Sequence, residues 1–315
     1  MYILAALLLD AIFGDPKRLP HPVVLIGGVI SYYEKILYSR GGDAKRNGFI
    51  FCAAVIGTTA AALFALLCAA GIAGSFLQRA LELYLLYAAI AFKSLKDESL
   101  PVARALAAGD LAAARISVGR IVGRDTERLD EAGVIRACVE TIAESYIDGV
   151  VSVLFWAFVG GFFGQAALFA WIFKAANTMD SMVGYDDARY HDFGYAAAKL
   201  DDIMNFIPAR LGAAAAVAGG ALGGMDYRRA WRIFLRDRLN HKSPNSAHAE
   251  SVFAGLLGLR LGGGAFYGGE WEPRPFLGDD IRSPDPNDII RAHHILNLSV
   301  AVCAAVILLL LRVGR

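Results

Sequence analysis

Six aspartates and no glutamate fall between Asn177 and Asp202, in the stretch NTMDSMVGYDDARYHDFGYAAAKLDD. A surface loop would mix glutamate and lysine among its aspartates. A run of the shorter carboxylate beside Asn and Gly suits tight coordination better than solvation. Asn177, Asp180 and Gly184 follow at three- and four-residue steps, which continues a helical face out of the apolar segment before them. Asp186 and Asp187 come next, and Asp201, Asp202, Asn205 and Arg210 return at near-helical spacing. A second acidic set lies upstream, where Arg136, Glu140, Glu144 and Asp148 share one helix face at steps of four. Val134, Ile135, Val139, Ile142 and Ala143 on the other faces predict a helix packed on most sides. Such a stripe can hold a divalent cation. Mg²⁺ needs only one or two carboxylates and keeps waters and substrate phosphates as its other ligands.

Two further segments offer complementary groups. In RDRLNHKSPNSAHAESVFAGLLGLRLGGGAFYGG, Arg236, Arg238, His241 and Lys242 supply cations and hydrogen bonds, and SPNS predicts a turn. The run LGGGAFYGG predicts a flexible loop whose backbone can approach a phosphate closely. Neither a P-loop nor a G-x-G-x-x-G fingerprint occurs in the chain. In GDPKRLPHPV, three prolines restrain the backbone around Asp15, Arg18 and His21. Acid-rich and base-rich segments together fit Mg²⁺ bridging a phosphorylated substrate.

The elements that must position these groups look built for lipid. The 315 residues are 56% hydrophobic and 19% charged, against about 25% charged in a soluble domain, and mean hydropathy is +0.46. Phe49 to Ile72 and Val150 to Phe173 reach the length of about 20 apolar residues that a helix needs to cross a bilayer. Ile295 to Leu311 is shorter but uncharged, while Leu81 to Phe92 and Phe206 to Leu222 are weaker spans. The expectation is an all-α, multi-pass integral membrane protein with three to six spans, forming one catalytic domain over 1–315. The apolar N-terminal segment lacks a basic leader region and a cleavage pattern, so it is expected to remain on the mature protein. Charges balance at 31 basic and 30 acidic, which argues against nucleic acid as a partner. The four cysteines show no C-x-x-C spacing.

Val150 to Phe173 sets a geometric condition. Crossing once, it would put the two acidic sets on opposite sides of the membrane. Gly160 and Gly161 near its middle predict a helical hairpin or a broken segment that returns the chain to the side it left. The two sets then become two halves of one acidic pocket.

In this order, GDPKRLPHPVVLIG, IVGRDTERLDEAGVIRACVETIAESYIDGVVSVLFW, NTMDSMVGYDDARYHDFGYAAAKLDDIMNFIPARL and RDRLNHKSPNSAHAESVFAGLLGLRLGG resemble the adenosylcobinamide-phosphate synthases of cobalamin biosynthesis, the CobD/CbiB family. The chain departs from the family pattern at Ser145, where many members have Asn. It departs again at HAES, residues 248–251, where many have a Trp-Pro-Met-like segment. The resemblance implies a multi-pass enzyme of the cytoplasmic membrane, working in the lipid bilayer and associated with neighbouring enzymes of its pathway. It would join the carboxylate of a corrinoid, adenosylcobyric acid, to aminopropanol or aminopropanol phosphate, consuming ATP. A carboxylate condenses with an amine only after activation, which ATP supplies through an acyl phosphate. Phosphoryl transfer of this kind is catalysed by positioning and electrostatics. On that reading Glu140, Glu144, Asp148, Asp180, Asp186 and Asp187 form the pool of Mg²⁺ ligands. Arg124, Arg189, Arg210, Arg238 and Lys242 are candidate phosphate clamps. His21 and His241 are candidate proton acceptors from the attacking ammonium. A different class, a transporter using intramembrane carboxylates, is the alternative. A CDP-alcohol phosphotransferase ranks lower, because Asp148-Gly149 is followed by VVS with no arginine in place.

Overall fold

The computed structural model describes residues 2–15 and 21–313. Arg18, singled out above, lies outside them. Four helices among the described residues are long and apolar enough to cross a membrane: Ala44–Ala73, Glu131–Gly161, Tyr195–Leu222 and Asn287–Val313, of 30, 31, 28 and 27 residues. The expected spans at 49–72, 206–222 and 295–311 fall inside three of these. The weak candidate at 81–92 falls mostly in a 15-residue helix, Ser75–Ala89, too short to cross, and its last residue, Phe92, begins the next helix.

By its contacts the chain forms two compact units, each assembled from separated stretches of sequence. The first comprises Met1–Lys93 and Ser152–Asn205. It holds α1 (Tyr2–Phe13), α2 (Pro22–Tyr38), α3 (Ala44–Ala73), α4 (Ser75–Ala89), α8 (Ser152–Gly161), α9 (Ala166–Val183) and the start of α10 (Tyr195–Leu222). Helix α9 is its centre, packing on α2, α3, α4 and α8. Trp171 of α9 is fully buried and donates its indole N–H to the Leu85 carbonyl on α4 at 2.8 Å.

Helices α8 and α9 are the hairpin that Gly160 and Gly161 predicted. Helix α8 ends at Gly161, Gly164 turns the chain at φ +66°, and the Gln165 N–H closes on the Gly160 carbonyl at 2.8 Å. A Cβ on Gly160 would stand 2.6 Å from the Gln165 carbonyl oxygen and 2.7 Å from Phe169 Cβ. Glycine is therefore what lets the arms close. The ten residues of α8 rise about 15 Å, half of a hydrocarbon core about 30 Å thick. The hairpin carries Asp180, late in α9, back toward the end at which α8 began.

The second unit comprises Ser94–Val151 and Phe206–Arg315. It holds most of α5 (Phe92–Ala107), α6 (Leu111–Val118), α7 (Glu131–Tyr146), the rest of α10, α11 (Tyr227–Asp237), α12 (Ser246–Leu257) and α13 (Asn287–Val313). Helix α12 is buried along its length from Ala247 to Leu257 and packs on α7, α11 and α13. Tyr146 and Phe253 bring fully buried rings 6.1 Å apart, where α7 meets α12. At Ile147–Val151 the hydrogen bonding of α7 widens into a single π-helical turn before α8 continues the rod. Such turns are rare and recur at functional sites.

The glycine-rich run expected to be a loop is ordered as two small antiparallel ribbons. Strand β1 (Arg260–Gly262) pairs with β4 (Phe276–Gly278), and β2 (Ala265–Tyr267) pairs with β3 (Glu270–Glu272). Gly268 and Gly269, both at positive φ, make the two-residue turn that such a hairpin favours.

Candidate functional site

Within the second unit, α7 and α12 set acidic and basic side chains close together. Glu140 is buried on α7. Its Oε2 accepts from Arg124 Nη2 at 2.7 Å, and its Oε1 accepts the Gly262 N–H at 2.7 Å, tying α7 to strand β1. Helical spacing suggested Arg136 as its partner, but Arg136 lies 4.0 Å from Asp130 instead. Arg124 reaches Glu140 from the loop before α7, a contact that no local pattern announces. Burial works against the Arg124 charge and Glu140 outweighs it, so the guanidinium is held more basic than usual.

Across from this pair, α12 presents Glu250. Burial first, and then the Glu144 and Glu140 carboxylates, push its carboxyl well above the usual carboxylate range; Arg124 and Arg274 offset this only in part. Its protonated, neutral form is favoured accordingly. Glu144 is exposed one turn beyond Glu140, and Asp148 follows half-buried inside the π turn. The result is a fixed ion pair, a carboxyl whose neutral form is favoured and two further carboxylates at helical spacing. No group of three or more His, Cys, Asp or Glu among the described residues is arranged to hold a metal ion.

Two residues before Glu250, His248 is 1% exposed, with its ring edge-on to Phe234 at 5.5 Å. Burial, then Arg210 and Arg238, lower its pKa to about 4, so the imidazole is neutral. Arg210 donates to Asn245 Oδ1 at 3.3 Å and lies 3.5 Å over the Phe206 ring. Arg238 lies 5.5 Å from the Phe234 ring centre. Lys242 is exposed in the turn that follows. His241 Nδ1 accepts the Ser243 N–H at 3.0 Å, so this histidine braces the turn. Three of the glycine amides expected to meet a phosphate are already occupied. Those of Gly268 and Gly269 donate to the Asp125 carboxylate at 3.2 and 2.7 Å, and that of Gly262 donates to Glu140.

The remaining expected residues belong to the first unit. His21 caps α2, its Nδ1 accepting the Val23 N–H at 3.3 Å, with Nε2 3.7 Å from Asp15. Asp187 caps a turn by accepting the Arg189 and Tyr190 N–H groups, each at 2.8 Å. Asp186 pairs with His191 at 2.7 Å, both exposed, and Arg189 pairs with Glu34 at 2.9 Å. Asp180 sits on the last turn of α9 beside Gly184, where a Cβ would fall 1.9 Å from its Oδ1. Beneath the exposed carboxylates runs a buried chain. Ser152 donates to Asn205 at 2.6 Å, Asn205 donates to Asp201 at 2.9 Å, and Asn177 donates to Asp201 at 3.2 Å. Sequence reasoning placed Asn177, Asp201 and Asn205 on helices but missed Ser152. It also missed Glu250 and His248, since HAES resembles any polar helix start until its burial is known.

Long apolar helices, a hairpin of lipid-compatible arms and polar groups gathered at helix ends define a multi-pass, all-α membrane protein. No solved structure matches the chain. The family model described as CobD/Cbib protein matches residues 3–296. The cobalamin biosynthesis protein CobD of Pelobacter propionicus is 42% identical over 310 residues, covering 98% of this chain and 94% of that one. CobD of Clostridium perfringens is 38% identical over 313 residues, covering 98% and 97%. The cobalamin biosynthesis protein CbiB of Salmonella typhimurium is 38% identical over 306 residues, covering 96% and 94%. The chain belongs to the CobD/CbiB family.

Proposed function

We propose that this protein is the acid–amine ligase of cobalamin biosynthesis. It joins adenosylcobyric acid to aminopropanol or aminopropanol phosphate at the cell membrane, with ATP activating the carboxylate. The observation that carries the reading is the family match over residues 3–296. The geometry around α7 and α12 supports the step.

Glu144 and Asp148, one helical turn apart, fit a Mg²⁺ ion that takes one or two carboxylates and leaves its other positions to water and phosphate oxygens. The ion would supply charge neutralisation at the transferring phosphoryl group. Arg210 and Arg238 are the cations from the expected clamps best placed for phosphate oxygens, because Arg124 and Arg189 already serve Glu140 and Glu34. Attack of an amine on an acyl phosphate builds negative charge on the acyl oxygen. Glu250, whose surroundings favour its protonated form, is suited to donate a hydrogen bond there, as a neutral carboxylic acid in a dry site can. Closure of the Arg124–Glu140 pair holds that site in shape.

Purified protein in nanodiscs, supplied with adenosylcobyric acid, Mg-ATP and each amine in turn, should form one amide per nucleotide cleaved. Absence of product with both amines from folded protein would refute the reading. One observation favours the transporter alternative: Asp201 is buried within the long helix Tyr195–Leu222. Solute uptake into vesicles without nucleotide or amine would support that class instead.

A further inference from the structure

Arg210 of α10 and Arg238, at the end of α11, lie near the start of α12 without the acids that usually accompany arginines. Arg210 donates to the Phe206 carbonyl and to Asn245, and Arg238 contacts the Phe234 ring. Among the described residues neither guanidinium has a carboxylate partner, whereas Arg124, Arg236 and Arg282 are all paired with acids. Both act electrostatically on His248. That side chain is almost completely buried, yet its Nδ1 meets no hydrogen-bond partner among the described residues. A buried imidazole nitrogen is normally paired. An unpaired one beside two uncompensated guanidiniums indicates a site completed by an anion.

We propose that Arg210, Arg238 and His248 form a binding site for a phosphate monoester dianion, and that His248 takes a proton from solvent as the phosphate binds. Guanidinium forks suit phosphate oxygens. Burial is the first cause that keeps the imidazole neutral and the two guanidiniums are the second; a dianion would cancel the second and offer the protonated ring an acceptor, so that His248 becomes the third cation. Linkage requires the converse, so protonation of His248 strengthens phosphate binding. The charges acting on His248 are Arg210 from α10 and Arg238 after α11, while α11 also contributes the uncharged Phe234 ring. From α7, Glu140 and Glu144 act on Glu250, as does Arg274 after β3. Glu250 lies two residues on, about 200° around α12 from His248. The inference deepens the ligase reading, on which it rests for the identity of the ester: the phosphorylated amine or the nucleotide.

The test is calorimetric titration of the full-length protein in nanodiscs with inorganic phosphate and with O-phosphoethanolamine. It is run near pH 7 in buffers of different ionisation enthalpy, without corrinoid or nucleotide. Wild type should take up about one proton more per phosphate bound than His248→Gln does. Arg210→Gln and Arg238→Gln should each weaken binding about tenfold or more. Equal proton uptake by wild type and His248→Gln would overturn the proposal, and so would undiminished binding by both arginine variants. Should His248→Gln misfold, ¹⁵N-imidazole NMR of wild type gives the same answer. Phosphate must convert a neutral, buried histidine to imidazolium, and no conversion overturns the site. Displacement of O-phosphoethanolamine by a non-hydrolysable ATP analogue assigns the site to the nucleotide; co-binding assigns it to the amine ester. Because no turnover is measured, loss of this site and failure of the ligase reading are separate outcomes.

Discussion

Separating Arg124 from Glu140 should be among the most damaging single changes in the second unit. The pair is 2.7 Å apart, with side chains only 15% and 7% exposed, so neither charge can be rehydrated where it stands. Glutamine at 140 keeps an acceptor for the Gly262 N–H and removes only the charge. Breaking a buried pair costs about 3–5 kcal/mol, and the residual exposure of Arg124 points to the lower end, about 3 kcal/mol. Arg124→Met should cost a similar amount, eased where Glu140 takes up a proton. The double variant leaves no stranded charge, so the two losses should fail to add by about 2–4 kcal/mol. At roughly 2–4 °C per kcal/mol, each single variant should melt about 6–12 °C below wild type, with the double variant well above their sum. The assay is thermal unfolding in nanodiscs at matched lipid composition. Additivity within about 0.5 kcal/mol would refute the reasoning, because it would mean that the two groups do not act as a pair.

Gly160→Leu places carbon against the Gln165 carbonyl, which the hairpin turn cannot withdraw. It should cost about 2 kcal/mol or more, seen as a lower melting temperature and a reduced folded yield. Glu250 binds a proton more tightly folded than unfolded, so stability should fall as pH rises from the unfolded carboxylate range toward its raised folded value. Glu250→Gln should flatten that dependence in unfolding measured from pH 5 to 9; an unchanged pH profile would contradict the burial of this group. Glu144→Gln and Asp148→Asn should each reduce ATP-dependent amide formation about a hundredfold while melting near wild type. Near-normal turnover would remove them from the pool of metal ligands.

The sequence by itself determined the class of protein and much of its local structure. Apolar runs near bilayer length, proline and glycine breaks and carboxylates at steps of four follow from local sterics and helix periodicity. Hence the long helices, the hairpin at Gly160 and the continuation of α9 through Asp180 were legible. The motifs in their order marked the family. Which charges meet was not legible, because helical spacing constrains neighbours on one helix and not partners brought in by a loop. Arg136 stood at the right step for Glu140, yet Arg124 took the place. Aspartates that looked like metal ligands cap a turn at Asp187 and pair with His191 at Asp186. Asp125 fills two of the glycine amides that looked ready for phosphate. Only tertiary packing decided that α12 is buried on all sides, and burial pushes Glu250 toward its neutral acid form and keeps His248 a neutral base. Both effects come from desolvation, which depends on everything that surrounds a residue and is written at no single position in the chain.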